Sequence, residues 1–149
     1  MIVRPATRAD AGALGQVHAR SFEASWTGDE ILRFAEDPGG LALVAEPAAG
    51  EIAGFILCRR IAGEAEVLTL AVSPAARRRG VASALLDAAI ALTRITAASM
   101  FLEVAEDNPG AIALYARAGF EPVGRRAGYY ARPGAPAIGA VVMRRTLNS

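Results

Sequence analysis

Leu70–Leu86, LAVSPAARRRGVASALL, is the stretch whose reading decides the fold, and it divides into strand, turn and helix. Val67-Leu68-Thr69-Leu70-Ala71-Val72 is a short apolar, partly β-branched run, the pattern of a buried strand. Ser73-Pro74 interrupts it, because proline cannot continue a ladder. Beyond Arg77-Arg78-Arg79-Gly80, the apolar residues Val81, Leu85, Ala88, Ala89 and Leu92 recur at helical spacing. The first turn of a helix presents unpaired N–H groups and the positive end of the macrodipole. Gly80 and Ala82 remove side chains where a ligand would approach those groups, Val81 lies between them, and three arginines add positive charge. The stretch therefore predicts an anion site suited to phosphate or pyrophosphate. The same residues also read as a solvated arginine run beside a close helix–strand packing. The spacing is neither a P-loop nor a G-x-G-x-x-G dinucleotide turn.

Working outward, 149 residues with 53% hydrophobic and 21% charged composition predict one domain over residues 1–149 with a proper core. A net charge of +1 supplies no field to recruit nucleic acid or an anionic membrane. All the positive charge is arginine, which we read as compositional bias. The single cysteine, Cys58, excludes an internal disulfide framework and suits a reducing compartment. With no apolar run near ~20 residues and no signal-like N-terminus, the expected location is cytoplasmic.

Met1–Pro5 reads as a first strand, and Thr7 with Asp10 as the cap of a helix carrying Leu14 and Val17. Phe22–Thr27 reads as loop, and Thr27 or Asp29 as the cap of a second helix ended by Asp37-Pro38-Gly39-Gly40. Strands are expected over Leu41–Glu46, Glu51–Arg60 and Glu64–Val72, the first two joined through Pro47–Gly50 and the last two through Ala62-Gly63. The longest helix is expected over Arg78–Thr96, a strand over Met100–Ala105, and a helix over Asn108–Ala118 with Gly119 beyond its end. Phe120–Arg125 and Ala140–Arg145 close the chain around a Gly128–Gly139 loop. The order βααβββαβαββ predicts an α/β fold, a mixed central sheet of about seven strands with helices on both faces.

Several residues carry possible chemistry. Glu103 is a carboxylate inside the apolar run Phe101-Leu102-Glu103-Val104, where a charge costs several kcal/mol unless solvated or paired. It reads as a general base, as an edge carboxylate facing water, or as the partner of an arginine. Tyr115 reads as a proton donor or as core packing with its hydroxyl at the rim. Asn108 is a good N-cap. Tyr129 and Tyr130 are two aromatics in an otherwise small, polar stretch. His18 has no ligand-spaced Asp, Cys or second His, so it is expected at the surface or core edge. Cys58 has no histidine to activate it and is expected to be inert. No metal site is visible in the sequence.

The R-x-x-G-x-A loop and the element order resemble those of the GCN5-related N-acetyltransferase (GNAT) superfamily. Within it, the chain is most similar to the RimI-like, ribosomal-protein-alanine N-acetyltransferase type. Four matches carry this: Leu102-Glu103-Val104; Asn108 with Ala111-Ile112-Ala113-Leu114-Tyr115 and Gly119-Phe120; Arg125-Arg126-x-x-Tyr129-Tyr130; and Trp26. Two positions depart from that pattern, Ser25 where proline is usual and Ile138-Gly139 where acidic residues are usual. The resemblance implies an acyltransferase that binds acetyl-CoA and passes its acetyl group directly to a protein N-terminal α-amine, a ribosomal protein being the expected partner. It implies cofactor contacts at Leu70, Ala71, Val72, Arg77 to Ala82, Asn108 and Tyr115, with backbone N–H near Ala71 or Val72 polarising the thioester. It further implies Glu103 as base, Tyr115 as acid to the leaving thiolate, and Trp26, Tyr129 and Tyr130 as acceptor-binding walls. Other readings are a GNAT enzyme for a small amine, a lysine or an aminoacyl group, and a non-catalytic acetyl-CoA-binding regulatory module. A monomer or weak dimer is expected.

Overall fold

The computed structural model of the chain describes residues 1–21, 26–132 and 134–147, the side chains of residues 129–132 and 135 lying outside that description. Seven strands form one sheet: β1 (Ile2–Pro5), β2 (Gly40–Glu46), β3 (Gly54–Ile61), β4 (Glu64–Val72), β5 (Ser99–Ala105), β6 (Glu121–Arg132) and β7 (Ala135–Thr146). Their order is β1-β2-β3-β4-β5-β7-β6. Every neighbouring pair is antiparallel except β4 and β5. Helices α1 (Ala11–Ser21) and α2 (Gly28–Glu36) pack on one face, α3 (Val81–Thr93) and α4 (Pro109–Arg117) on the other. This is the predicted mixed α/β architecture. No helix among the described residues is long and apolar enough to cross a membrane.

The two faces have separate cores, because strand residues alternate between them. Leu43, Ile56, Met100, Leu102, Val104 and Met143 pack with Leu85, Leu86, Ile90 and Tyr115 on the α3–α4 face. Val44, Phe55, Leu57 and Ala71 pack with Leu14, Val17 and Ile31 on the α1–α2 face. One irregularity positions the site. Leu57 pairs with Thr69 but Cys58 pairs with Val67, so Leu68 is an extra residue in β4. Such a bulge twists a strand and re-aims its side chains. Beyond it, β4 and β5 part company: their ladder holds only from Glu64↔Ser99 to Glu66↔Phe101.

Local chemistry sets several boundaries. Thr27 caps α2, its hydroxyl accepting from Glu30 N–H (3.2 Å). Thr7 works differently: its N–H and hydroxyl both donate to Asp10 (2.7 and 3.2 Å), and a 3-10 turn over Arg8–Asp10 precedes α1. The helix expected from Arg78 starts at Val81, because Arg78 and Gly80 have left-handed φ values of 65° and 75°. It ends at Thr93, whose buried hydroxyl donates to Ala89 C=O (2.7 Å). The strand expected from Glu51 starts at Gly54.

The largest correction is at the C-terminal hairpin. The Gly128–Gly139 stretch is not a loop; β6 runs to Arg132 and β7 begins at Ala135, so Tyr129 and Tyr130 lie on β6. Pairing of β7 with β5 stops at Ala140↔Ala105, while its pairing with β6 continues to Ala135↔Arg132. The tip is thus a two-stranded ribbon whose register slips around Arg126, Tyr130 and Arg132. Those slips admit glycine and proline, which a central strand would not tolerate.

Candidate active site

An open groove of about 360 Å³ sits at the N-terminus of α3, lined by Val72, Ala76, Arg77, Arg78, Gly80 to Ser83, Leu114 and Arg117. The predicted anion loop therefore faces a real concavity. A Cβ at Gly80 would meet nothing within 4 Å, so the space over the loop is open, and its φ of 75° favours glycine. Arg77, Arg78 and Arg117 have no carboxylate partner among the described residues, whereas Arg79 lies 3.7 Å from Glu51. Free guanidinium groups beside helix N–H groups are chemically suited to a polyanion such as the pyrophosphate of acetyl-CoA.

The backbone of β4 continues the groove into the gap. Ser73 N–H donates to Ala53 C=O (2.8 Å), which sets the phase of the β3–β4 ladder. In that phase Thr69 and Ala71 turn their N–H and C=O groups to β3, and Leu70 and Val72 turn theirs to the opening. Ala71 thus presents neither group to the gap, and the backbone donors there are Leu70 and Val72.

Tyr115, on α4, is buried on the same face, edge-on to Phe120 with ring centroids 5.9 Å apart. Asn108 does cap α4, its Oδ1 accepting from Ala111 N–H (3.1 Å). Glu103 belongs to the other face, since Met100, Leu102 and Val104 on either side of it fill the α3–α4 core. Its carboxylate accepts from Arg126 Nη1 of β6 (2.8 Å) with a side chain only 24% exposed. Base and acid candidates therefore lie on opposite faces of the sheet, and the β4–β5 opening is what joins those faces.

A second ion pair anchors the ribbon beside Glu103. Glu106 accepts twice from Arg125 (2.6 and 2.8 Å) and once from Gly139 N–H (3.3 Å), and Arg125 holds its carboxyl below the usual range. A Cβ at Gly139 would lie 3.1 Å from Arg125 Nη2, Arg126 C=O and Glu106 Cδ. Glycine at that position lets the bridge close.

On the α1 side, Trp26 packs against His18, their rings stacked 5.0 Å apart, and the backbone N–H of Trp26 donates to His18 Nδ1 (2.9 Å). His18 is buried, at 3% exposure, rather than at the surface or core edge. Burial pushes its pKa below the usual imidazole value. Accepting at Nδ1 requires the neutral ring with its proton on Nε2. Cys58 is buried, with its thiol pushed up to about 12 by burial, and is chemically inert as expected.

The structure brings Val72, Arg77, Arg78, Gly80, Val81 and Ala82 to one groove, with Tyr115 on the helix that walls it. Leu70 faces the opening through its backbone, and Arg79 leans away toward Glu51. Ser25 and the side chains of Tyr129 and Tyr130 lie outside the described residues. Sequence reasoning missed Ser83, Leu114, Arg117 and His18. Leu114 and Arg117, three apart on α4, share the helix face turned to α3, a spacing that would have marked Arg117.

The profile of the Acetyltransferase (GNAT) family matches residues 12–120. The N-alpha-acetyltransferase RimI of Mycobacterium tuberculosis is 33% identical over 137 residues, covering 88% of this chain and 85% of that protein. An uncharacterized protein of Mycobacterium leprae is 45% identical over 82 residues, 55% of this chain, and the match spans only 21% of its length. Among solved structures, the ribosomal-protein-S18-alanine N-acetyltransferase of Escherichia coli has a TM-score of 0.89 at 24% identity, covering 99% of this chain and 94% of that one. With the phosphate-type groove, the divergent β4–β5 pair and the carboxylate beneath it, these matches place the chain in the GNAT family of N-acetyltransferases.

Proposed function

We propose that this protein transfers an acetyl group from acetyl-CoA to the N-terminal α-amine of a protein, with an alanine-initiated ribosomal protein as the expected acceptor. The observation that carries this is the division of the site by the β4–β5 opening. A cationic groove with Tyr115 lies on one face; Glu103 with its Arg126 partner, and Trp26, lie on the other. Two substrates approaching from opposite faces can meet at the gap without sharing a pocket. The acceptor wall is an open ribbon edge, suited to an extended chain. The names of the Mycobacterium tuberculosis and Escherichia coli relatives support the same acceptor class.

Acetyl-CoA supplies the activated thioester acyl group. Arg77, Arg78 and Arg117, with the N–H groups of the first turn of α3, hold its phosphates. Leu70 and Val72 N–H are placed to polarise the thioester carbonyl. Glu103 receives the proton that the amine loses, and Arg126 fixes its carboxylate at the mouth of the gap. Since an α-amine has a pKa of about 7.7–8.0 against about 10.4 for lysine, a sizeable fraction is already free base near neutrality. A base of ordinary strength therefore suffices. Tyr115 donates to the departing thiolate; tyrosine and thiol pKa values of about 10 and 8.5 make that transfer feasible. Buried Cys58 offers no acetyl-enzyme route, so transfer is direct.

The test uses purified protein, acetyl-CoA, a polyamine and peptides differing in their first residue, some N-terminally blocked with an internal lysine. Mass spectrometry locates the acetyl group. Acetyl on free N-termini only supports the reading. Acetyl on lysine or a polyamine alone rejects the acceptor class, and cofactor binding without any transfer leaves the regulatory module.

A further inference from the structure

Thr69 is 8% exposed, and its Oγ1 is buried with no hydrogen-bond partner among the described residues. Leaving a buried hydroxyl unsatisfied is costly, and folded proteins rarely do so without cause. Its direction is fixed by register. Thr69 pairs with Leu57 and Ala71 with Phe55, and those three neighbours pack in the α1–α2 core, so Thr69 faces that side too. It is the first residue after the Leu68 bulge, in the part of β4 that has left β5. It therefore stands on the face where Glu103 stands, across the opening, on the strand whose backbone lines the gap. Nothing in the acetyl transfer described above uses it.

We infer that the Thr69 hydroxyl binds the acceptor amine, accepting one of its N–H bonds. The inference rests on the reading that an amine enters from the Glu103 face. A free primary amine has two N–H bonds and one lone pair. With one N–H on Thr69 Oγ1 and the other toward Glu103, the lone pair is left aimed through the gap at the thioester carbon. As the C–N bond forms, the C–S pair leaves with sulfur. One N–H proton passes to Glu103, and sulfur takes a proton from Tyr115. The N–H held by Thr69 is the one that remains in the amide product. A secondary amine has only the proton that Glu103 must take, so Thr69 selects primary amines.

The experiment compares wild type, Thr69→Val and Thr69→Ser with whichever amine of the panel above the wild type acetylates, and with its N-methyl analogue. Valine keeps the shape of threonine and removes the hydroxyl. Thr69→Val is expected to melt at or above the wild-type temperature, because it removes an unsatisfied group. It should lose about tenfold in kcat/KM for the primary amine while KM for acetyl-CoA stays unchanged. The preference for the primary over the N-methyl amine should shrink by the same factor, and Thr69→Ser should restore it. An unaltered preference in Thr69→Val overturns the inference, as does a fall in melting temperature with equal losses for both amines. If only lysine or a polyamine is acetylated, the N-terminal acceptor reading falls, and Thr69 is judged on that amine by the same ratio.

Discussion

The two walls of the β4–β5 opening are built in different ways. The proposed cofactor wall is almost local: Val72 to Ser83 is one continuous piece of chain, in which a strand end, an arginine turn and a helix N-terminus follow one another, with only Leu114 and Arg117 added from α4. The proposed acceptor wall is assembled from afar. Trp26 is held by His18, Thr69 comes from β4, Glu103 from β5 and Arg126 from β6. A local wall depends on backbone conformation and charge. An assembled wall depends on strand register, where a slip of one residue moves a side chain to the other face of the sheet. The first should tolerate losses that weaken binding; the second should fail in catalysis or in substrate choice.

The largest effect should come from the acceptor wall. Glu103→Gln keeps the shape of the side chain and removes the proposed base, so kcat should fall by about 10²–10⁴-fold while acetyl-CoA affinity is retained. Steady-state kinetics with calorimetric titration of CoA separates the two; a parallel loss of CoA binding would erase the contrast between walls. On the cofactor wall, Arg77→Ala should weaken acetyl-CoA by about 10–100-fold with kcat little changed, through loss of a charge-assisted contact. The defect should narrow at high salt, where the wild-type contact is screened as well.

A smaller effect concerns the frame under the acceptor wall. Arg4 binds Asp10 through two contacts (2.9 and 3.0 Å) and also reaches Glu46, tying β1 to the turn before α1 and to β2. Arg4 holds the Asp10 carboxyl at about 2, below its ordinary 3.8. With the folded value depressed, the unfolded chain binds the proton first as pH falls. The stabilisation is complete above about pH 4 and is lost as pH falls toward 2; it amounts to about 2 kcal/mol. Urea titrations at several pH values should show this loss, and Asp10→Asn should be less stable at neutral pH and flatter in acid.

The smallest effect belongs to His18. Its pKa is depressed by burial, so the unfolded chain takes up the proton below about pH 6.5 and the fold is destabilised as pH falls from there. Protonation also removes the lone pair on Nδ1 that accepts from Trp26 N–H. Tryptophan fluorescence should therefore change on mild acidification of wild type and stay flat in His18→Asn. Equal titration of both would detach Trp26 from His18.

The sequence by itself determined the element order, the arginine loop ahead of α3, the Asn108 cap and the alternation that buries Met100, Leu102 and Val104 around Glu103. Each is set by neighbours within a few residues, through helix periodicity, capping or strand alternation. It misread the ribbon as a loop, because Gly128 and Gly139 suggest a break and only the partner strands show that β6 and β7 run through them. It set His18 aside, because the groups that give that ring its role, Trp26 N–H and the Trp26 ring, reach it only once the chain has folded back. Thr69 was one more β-branched strand residue until the bulge at Leu68 and the parting of β4 from β5 gave its hydroxyl a direction. The tertiary structure decided these points because strand register and the end of a ladder are properties of pairs of segments, which no single stretch of chain contains.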